Sequence, residues 1–224
     1  MRRRLILFDI DGTLLKPMGL GRRSLDSAFR HHFGREGVFD GISFHGRTDF
    51  DIIDEGVAKV GGRPADAGAI IETYLDHLQR EVDGGPSLAL PGVVDLLTRL
   101  AADDSVTLGL VTGNVQEGAR IKLSRDRLGR FFRLGAFGDD HRDRGELVRI
   151  AKARALEGGF GGFADRDVYL IGDTRSDVRA ARAAQAVAVA VATGGDTLET
   201  LSADCPDHLF SSLEPADAVL AALA

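Results

Sequence analysis

The stretch Leu5–Leu15, LILFDIDGTLL, decides how the rest of the chain is read. Its apolar run Leu5–Phe8 has the composition of a buried strand, yet it runs straight into Asp9, and a second carboxylate follows at Asp11. A buried, unpaired carboxylate is costly, so such a group shifts its pKa or recruits a cation. On an extended backbone, side chains two positions apart leave from the same face. A strand ending in two such groups needs partners, and they must come from elsewhere in the chain.

Working outward, Val106–Val111, Phe132–Phe137, Val168–Ile171 and Val187–Val191 show similar short apolar runs bounded by Gly or Asp. That is the pattern of strands covered on both faces. Helical patterns lie between them at Val93–Ala101, Gln116–Leu128, Glu146–Leu156 and Ser176–Ala184. The alternation predicts right-handed crossovers and an α/β fold, a three-layer Rossmann-like core with a mostly parallel sheet. From Lys16 to Leu88 the strand signal disappears, and only helical patterns remain at Ser24–Phe33, Asp49–Val60 and Ala65–Val82. Turn-rich flanks, KPMGLG and DGGPSLALPG, set this interval off. The expected division is a core of residues 1–15 and 89–224 with a helical cap, 16–88, inserted after the first strand. GLGRRS (Gly19–Ser24) reads as a hinge. GGFGGF (Gly158–Phe163) reads as a loop before a strand, because a dinucleotide cradle follows its strand.

Composition narrows the partners. With 224 residues, 44% hydrophobic and 28% charged, the chain has the make-up of an ordinary soluble domain. Its formal charge of -6 argues against nucleic acid or an anionic membrane. No apolar run approaches the roughly 20 residues of a membrane span. The start, MRRRLILFDIDG, is basic like a leader, but its apolar run stops at Asp9 and lacks a small-residue cleavage site. The expectation is a mature cytoplasmic protein. Cys205 is the only cysteine, which excludes an internal disulfide or a cysteine-built metal cage. It lies in ADCPDHLF, apart from every motif.

Open parallel sheets bind ligands beyond the carboxyl ends of their strands, and the unusual polar clusters fall at those ends. Asp9, Asp11 and Thr13 follow the first strand, and Thr112, Gly113 and Asn114 follow VTLGLV. Arg144 opens the helix after the LGAFG strand, and Asp173 and Asp177 follow VYLIG in GDTRSD. Asp9 and Asp173 side by side offer hard oxygen ligands to Mg²⁺, which binds through one or two carboxylates, waters and a substrate phosphate. VTGN places a hydroxyl and free N–H groups at a helix N-terminus, a seat for phosphate. Arg144 supplies a fixed positive charge for a transferring phosphoryl group. These parts suit phosphoryl transfer through an aspartyl-phosphate.

DIDGT, VTGN and GDTRSD, in this order and spacing, resemble the signature motifs of the haloacid dehalogenase-like phosphatase superfamily. The resemblance covers the whole chain, with the helical insert where the family carries its cap, and it is strongest to the phosphoglycolate phosphatase-like members. It implies that Asp9 is the nucleophile and a metal ligand. Asp11 would be the general acid and then the base, with its carbonyl on the metal. Thr112 would hold the phosphate, beside Gly113 and Asn114, and Asp173 would be a further metal ligand. Asp177 would support the metal site, and Thr13 would brace the loop. The family usually has a lysine at its third motif, and none lies within residues 138–145. Arg144, in DDHRDRGELV, takes that place, with Lys152 two helical turns on as the fallback.

In the insert, FHGRTDFDII reads in two ways. Thr48 or Asp49 caps a helix, or His45 and Arg47 reach down to the substrate's leaving group. His31 and His32 read as helix-surface positions, and neither Lys16 nor Lys59 has a pattern that supports a Schiff base. The expected function is a Mg²⁺-dependent phosphatase acting on a small phosphomonoester, as a monomer or homodimer. Phosphoglycolate, pyrophosphate, sugar phosphates and nucleoside monophosphates all stay open as substrates. The competing readings are a phosphomutase of the β-phosphoglucomutase type and a non-catalytic binding protein. A dehalogenase is disfavoured: the resemblance implies that dehalogenases lack the second aspartate, and Asp11 is present.

Overall fold

The computed structural model describes residues 3–224; Met1 and Arg2, part of the basic start, lie outside them. Among the described residues, six strands form one parallel sheet: β1 (Arg4–Phe8), β2 (Val106–Val111), β3 (Leu134–Ala136), β4 (Val168–Gly172), β5 (Val187–Val191) and β6 (His208–Phe210). Their order across the sheet is β3-β2-β1-β4-β5-β6. The chain therefore winds outward from β1 in one direction, then returns to β4 and winds in the other. The boundary between β1 and β4 is the switch point at which such sheets open a crevice.

Among the described residues, nine α-helices accompany the strands: α1 (Leu20–Phe33), α2 (Asp49–Val60), α3 (Ala67–Gly84), α4 (Val93–Ala101), α5 (Gln116–Ser124), α6 (Arg144–Glu157), α7 (Arg175–Ala183), α8 (Leu198–Ala203) and α9 (Ala216–Ala222). The alternation along β1 builds the three layers. Leu5 and Leu7 pack with Val148 and Ala151 of α6 and Val178 and Ala181 of α7. Ile6 and Phe8 turn the other way, toward Leu96 and Leu97 of α4 and Val219 of α9. A fully buried Leu, Ile or Phe side chain contributes about 1.5–3 kcal/mol each, so β1 is anchored from both faces and its C-terminal end is held rigidly.

Residues 20–84 add helices α1–α3 and no strand to the sheet. The chain leaves and re-enters the core as two adjacent segments: the Lys16 N–H donates to the Leu88 carbonyl and the Leu90 N–H to the Leu14 carbonyl. Helix α3 packs on α1 and on α5, which joins the insert to the core.

Several local expectations change. Gly19–Ser24, read as a hinge, is the start of α1: Gly19, at φ 72°, turns the chain into the helix at Leu20. The helix expected to run to Leu128 ends at Ser124, and Arg127, at φ 53°, leads into a 3₁₀ turn over Leu128–Phe131. The Phe132–Phe137 strand is ordered as a strand only over Leu134–Ala136. The helix expected from Ala65 is preceded by a 3₁₀ turn at Pro64–Asp66 and starts at Ala67. β6 was not anticipated.

Candidate active site

The register brings the clusters together. Phe8 pairs with Leu110 on one side and Ile171 on the other, so Asp9, Thr112 and Asp173 leave neighbouring strands at one edge. Beyond Asp9 the backbone turns tightly: the Leu14 and Leu15 N–H groups both donate to the Ile10 carbonyl, and Gly12 N–H donates to Leu15. Gly12 has a φ of 92°, and a Cβ there would overlap the Asp173 carboxylate. Only glycine lets this loop approach that side chain.

The centre of the site is charged and buried. Asp9, Asp173 and Asp177 are 5%, 1% and 2% exposed, and each places a carboxylate oxygen within 4.8 Å of the others. One guanidinium faces them: Arg144 Nη2 lies 2.9 Å from Asp9 Oδ1 and 2.6 Å from Asp177 Oδ1. Nη2 meets both carboxylates as ion pairs, while Arg144 Nε is a buried donor without an acceptor. Burial raises the Asp9 pKa, with Asp177 and Asp11 adding to the rise and Arg144 opposing it. Burial also raises that of Asp173, followed by the charges of Asp9 and Asp177. For Arg144, burial works against the charge, but Asp177 and Asp9 outweigh it and raise its pKa. One cation among three buried carboxylates leaves a surplus of negative charge, and hard oxygens so arranged can hold a divalent cation.

The supporting contacts are specific. Thr13 Oγ1 donates to Asp173 Oδ1 at 3.1 Å, and Gly195 N–H to Asp173 Oδ2 at 3.0 Å. Asp177 closes a capping box at the start of α7, accepting from Thr174 N–H at 3.0 Å and Thr174 Oγ1 at 2.6 Å. It thus shapes the helix N-terminus and touches Arg144 with its other oxygen. Lys152, the fallback for the third motif, is bound to Asp165 at 2.6 Å on the outer side of α6.

Asp11 belongs to a second cluster. Its Oδ2 accepts from Lys122 Nζ at 2.6 Å and Asn114 Nδ2 at 2.8 Å; Lys122 also donates to Asn114 Oδ1, and Asn114 Nδ2 to Thr112 Oγ1. Both clusters line one cavity of about 450 Å³, roofed by Arg22, Phe44, His45 and Ile52 of the insert. The insert touches the core closely. Asp49 N–H donates to the Gly113 carbonyl, and Val115 N–H to Asp49 Oδ2. His45 packs on Gly195. The Arg47 side chain is held instead by Glu55 and the Asp51 carbonyl on α2, although its backbone borders Gly113. Thr48, not Asp49, caps α2, accepting from Asp51 N–H at 3.2 Å.

A family model, haloacid dehalogenase-like hydrolase, matches residues 3–185. The chain belongs to that family. Among known proteins, this hydrolase is 32% identical over 210 residues to a phosphoglycolate phosphatase of Synechococcus elongatus, covering 92% of each chain. It is 25% identical over 217 residues to the pyrophosphatase PpaX of Oceanobacillus iheyensis, covering 94% of each. A solved hydrolase of Pseudomonas syringae shares the fold, with a TM-score of 0.76, 20% identity, and coverage of 99% of this chain and 100% of that one.

In this haloacid dehalogenase-like hydrolase, two site residues escaped the sequence reading. Lys122 is 5% exposed, yet lies in a helix that also carries Glu117 and Arg120. The available signal was position: with Val115 and Ala119 it repeats at i, i+4, i+7, which puts the lysine on the apolar face. The sequence presents Asp49 only as a capping residue. Burial raises its pKa to about 6 against the pull of Lys122. Elsewhere, His32 ties α1 to Thr73, and Lys59 binds the carbonyls of Val38 and Asp40. Cys205 is exposed. Among the described residues, no helix is long and apolar enough to cross a membrane.

Proposed function

We propose that this hydrolase is a Mg²⁺-dependent phosphatase of small phosphomonoesters, acting through an aspartyl-phosphate on Asp9. The observation that carries this reading is Arg144, a buried cation whose Nε lacks an acceptor, beside Asp9 in the lining of the cavity. Buried donors without an acceptor are costly, and a phosphoryl group brings the oxygens they lack. The surplus charge of Asp9, Asp173 and Asp177 supports a resident cation, held by Asp9, Asp173 and the Asp11 carbonyl, with Asp177 steadying the site. When bound, Mg²⁺ would neutralise these carboxylates and the phosphate together.

The residues divide the work. Asp9 attacks phosphorus and the ester oxygen leaves, taking a proton from Asp11. The Thr112 hydroxyl and the N–H groups of the Gly113–Asn114 turn hold the phosphoryl oxygens, and Arg144 stabilises their charge. Asp11 then takes a proton from water as it attacks the phosphoaspartate, returning Asp9 and releasing phosphate. The insert, read as a cap over residues 16–88 on a core of 1–15 and 89–224, excludes bulk water and selects the leaving group. A roof of Phe44, Ile52, His45 and Arg22 suits a small phosphorylated metabolite, and the similarity to the Synechococcus elongatus phosphoglycolate phosphatase makes phosphoglycolate the first to try. We place the protein in the cytoplasm. The test is a panel of phosphorylated metabolites ranked by kcat/KM with and without Mg²⁺, including one mutase substrate pair. Phosphate release from a small ester supports the reading; isomer interconversion dependent on a bisphosphate activator overturns it.

A further inference from the structure

We propose that Lys122 is a positioning residue for Asp11, fixing with Asn114 the carboxylate that moves protons in this reaction. The inference rests on the phosphatase reading above. A buried ammonium costs several kcal/mol unless it is well compensated, and a leucine or methionine would satisfy the packing of α5 without that cost. Lys122 is 5% exposed, and its ammonium faces a carboxylate and an amide oxygen. Its hydrogen bonds form a closed ring. Lys122 Nζ donates to Asp11 Oδ2 and to Asn114 Oδ1, each at 2.6 Å, and Asn114 Nδ2 returns to Asp11 Oδ2 at 2.8 Å. The ring is made through one Asp11 oxygen alone.

Asp11 needs such a device more than Asp9 does. Its side chain is 30% exposed, whereas that of Asp9 is only 6% exposed and pinned against Arg144. A part-exposed carboxylate samples several rotamers, and a proton-transfer group that strays by about 1 Å loses on the order of 100-fold in rate. Two donors converging on Oδ2 remove that freedom. The insert completes the arrangement: Asp49 binds Val115 N–H at the start of the helix that carries Lys122, and Gly21 of α1 lies against Nζ. Seating the insert and orienting Asp11 are thereby one packing event.

The test is a double-mutant cycle of Lys122→Met, Asp11→Asn and both, on an alkyl phosphate with Mg²⁺, alongside Asp9→Asn. If Lys122 acts through Asp11, Lys122→Met lowers kcat about 10- to 100-fold with KM within about threefold. The same change made in Asp11→Asn costs nothing further. Losses that multiply, or a Lys122→Met enzyme as fast as wild type, overturn the proposal while leaving the phosphatase reading intact. A wild-type chain with no Mg²⁺-dependent activity overturns both. Should Lys122→Met fail to fold, Lys122→Arg carries the cycle; its smaller loss must likewise vanish in Asp11→Asn.

Discussion

The Arg144 guanidinium lies 2.9 Å from the Asp9 carboxylate, joining the start of α6 to the end of β1. The planar guanidinium fork presents several donors there, which is what the proposed role beside Asp9 needs. Arg144→Ala should cut kcat by at least about 100-fold, the scale of losing one preorganised donor at a reacting oxyanion. Lys152→Ala should stay within about twofold, because its partner Asp165 is on the surface and such pairs contribute about 0–1 kcal/mol. Steady-state kinetics on p-nitrophenyl phosphate decide between them, and the reverse order would move the third motif to Lys152.

Asp9→Asn should abolish turnover yet raise the metal-free melting temperature. Burial and the charges of Asp177 and Asp11 raise the Asp9 pKa in the folded state, so ionising it there costs stability. That cost is absent at low pH and grows as pH rises. Thermal melts in EDTA at pH 8 should place the variant above wild type. Mg²⁺ at a hundred times its Kd should stabilise wild type by about 2.7 kcal/mol, at about 2–4 °C per kcal/mol for a chain of this size. Asp9→Asn should lose most of that rise. Turnover near wild type in this variant would remove Asp9 as nucleophile.

Much of this was legible in the sequence, for physical reasons. β1, β2, β4 and β5 are buried on both faces, so their apolar runs are continuous and the polar residues that end them stand out. β6, with only His208–Phe210 and half-buried throughout, carries no such contrast. Asp9, Thr112, Arg144 and Asp173 announce themselves as polar groups at strand or helix ends. Lys122 does not, because the groups that face its ammonium include Asp11 and Gly21, which lie in segments far away in the chain. Asp49 was hidden by a plausible local role that Thr48 fills instead.

Asp49 gives the insert a pH-dependent seat. Burial raises its pKa from 3.8 to about 6 despite the nearby Lys122 ammonium. The folded chain therefore binds this proton more tightly than the unfolded one, and stability falls as pH climbs from about 4 to about 6. Asp49→Asn removes the titration while its side-chain carbonyl can still accept from Val115 N–H. Melting temperature measured as variant minus wild type should rise across that interval and flatten above it. A difference independent of pH would show that Asp49 does not titrate there.

His45 and Arg47, paired in the sequence reading, should separate in experiment. His45 borders the cavity and packs on Gly195, where a Cβ would come within 2.5 Å of its Nδ1. The Arg47 guanidinium instead serves α2, bonding Glu55 and the Asp51 carbonyl at 3.0 Å. Arg47→Ala should therefore lower stability by up to about 1 kcal/mol, the range of an exposed ion pair, and leave the order of preferred substrates unchanged. His45→Ala should reorder them, because it removes a wall that the leaving group meets before the phosphoryl group reaches Asp9. Ranking kcat/KM over the metabolite panel for both variants tests this. If Arg47→Ala reorders the panel and His45→Ala does not, the arginine leaves Glu55 to meet the substrate, and the roles exchange.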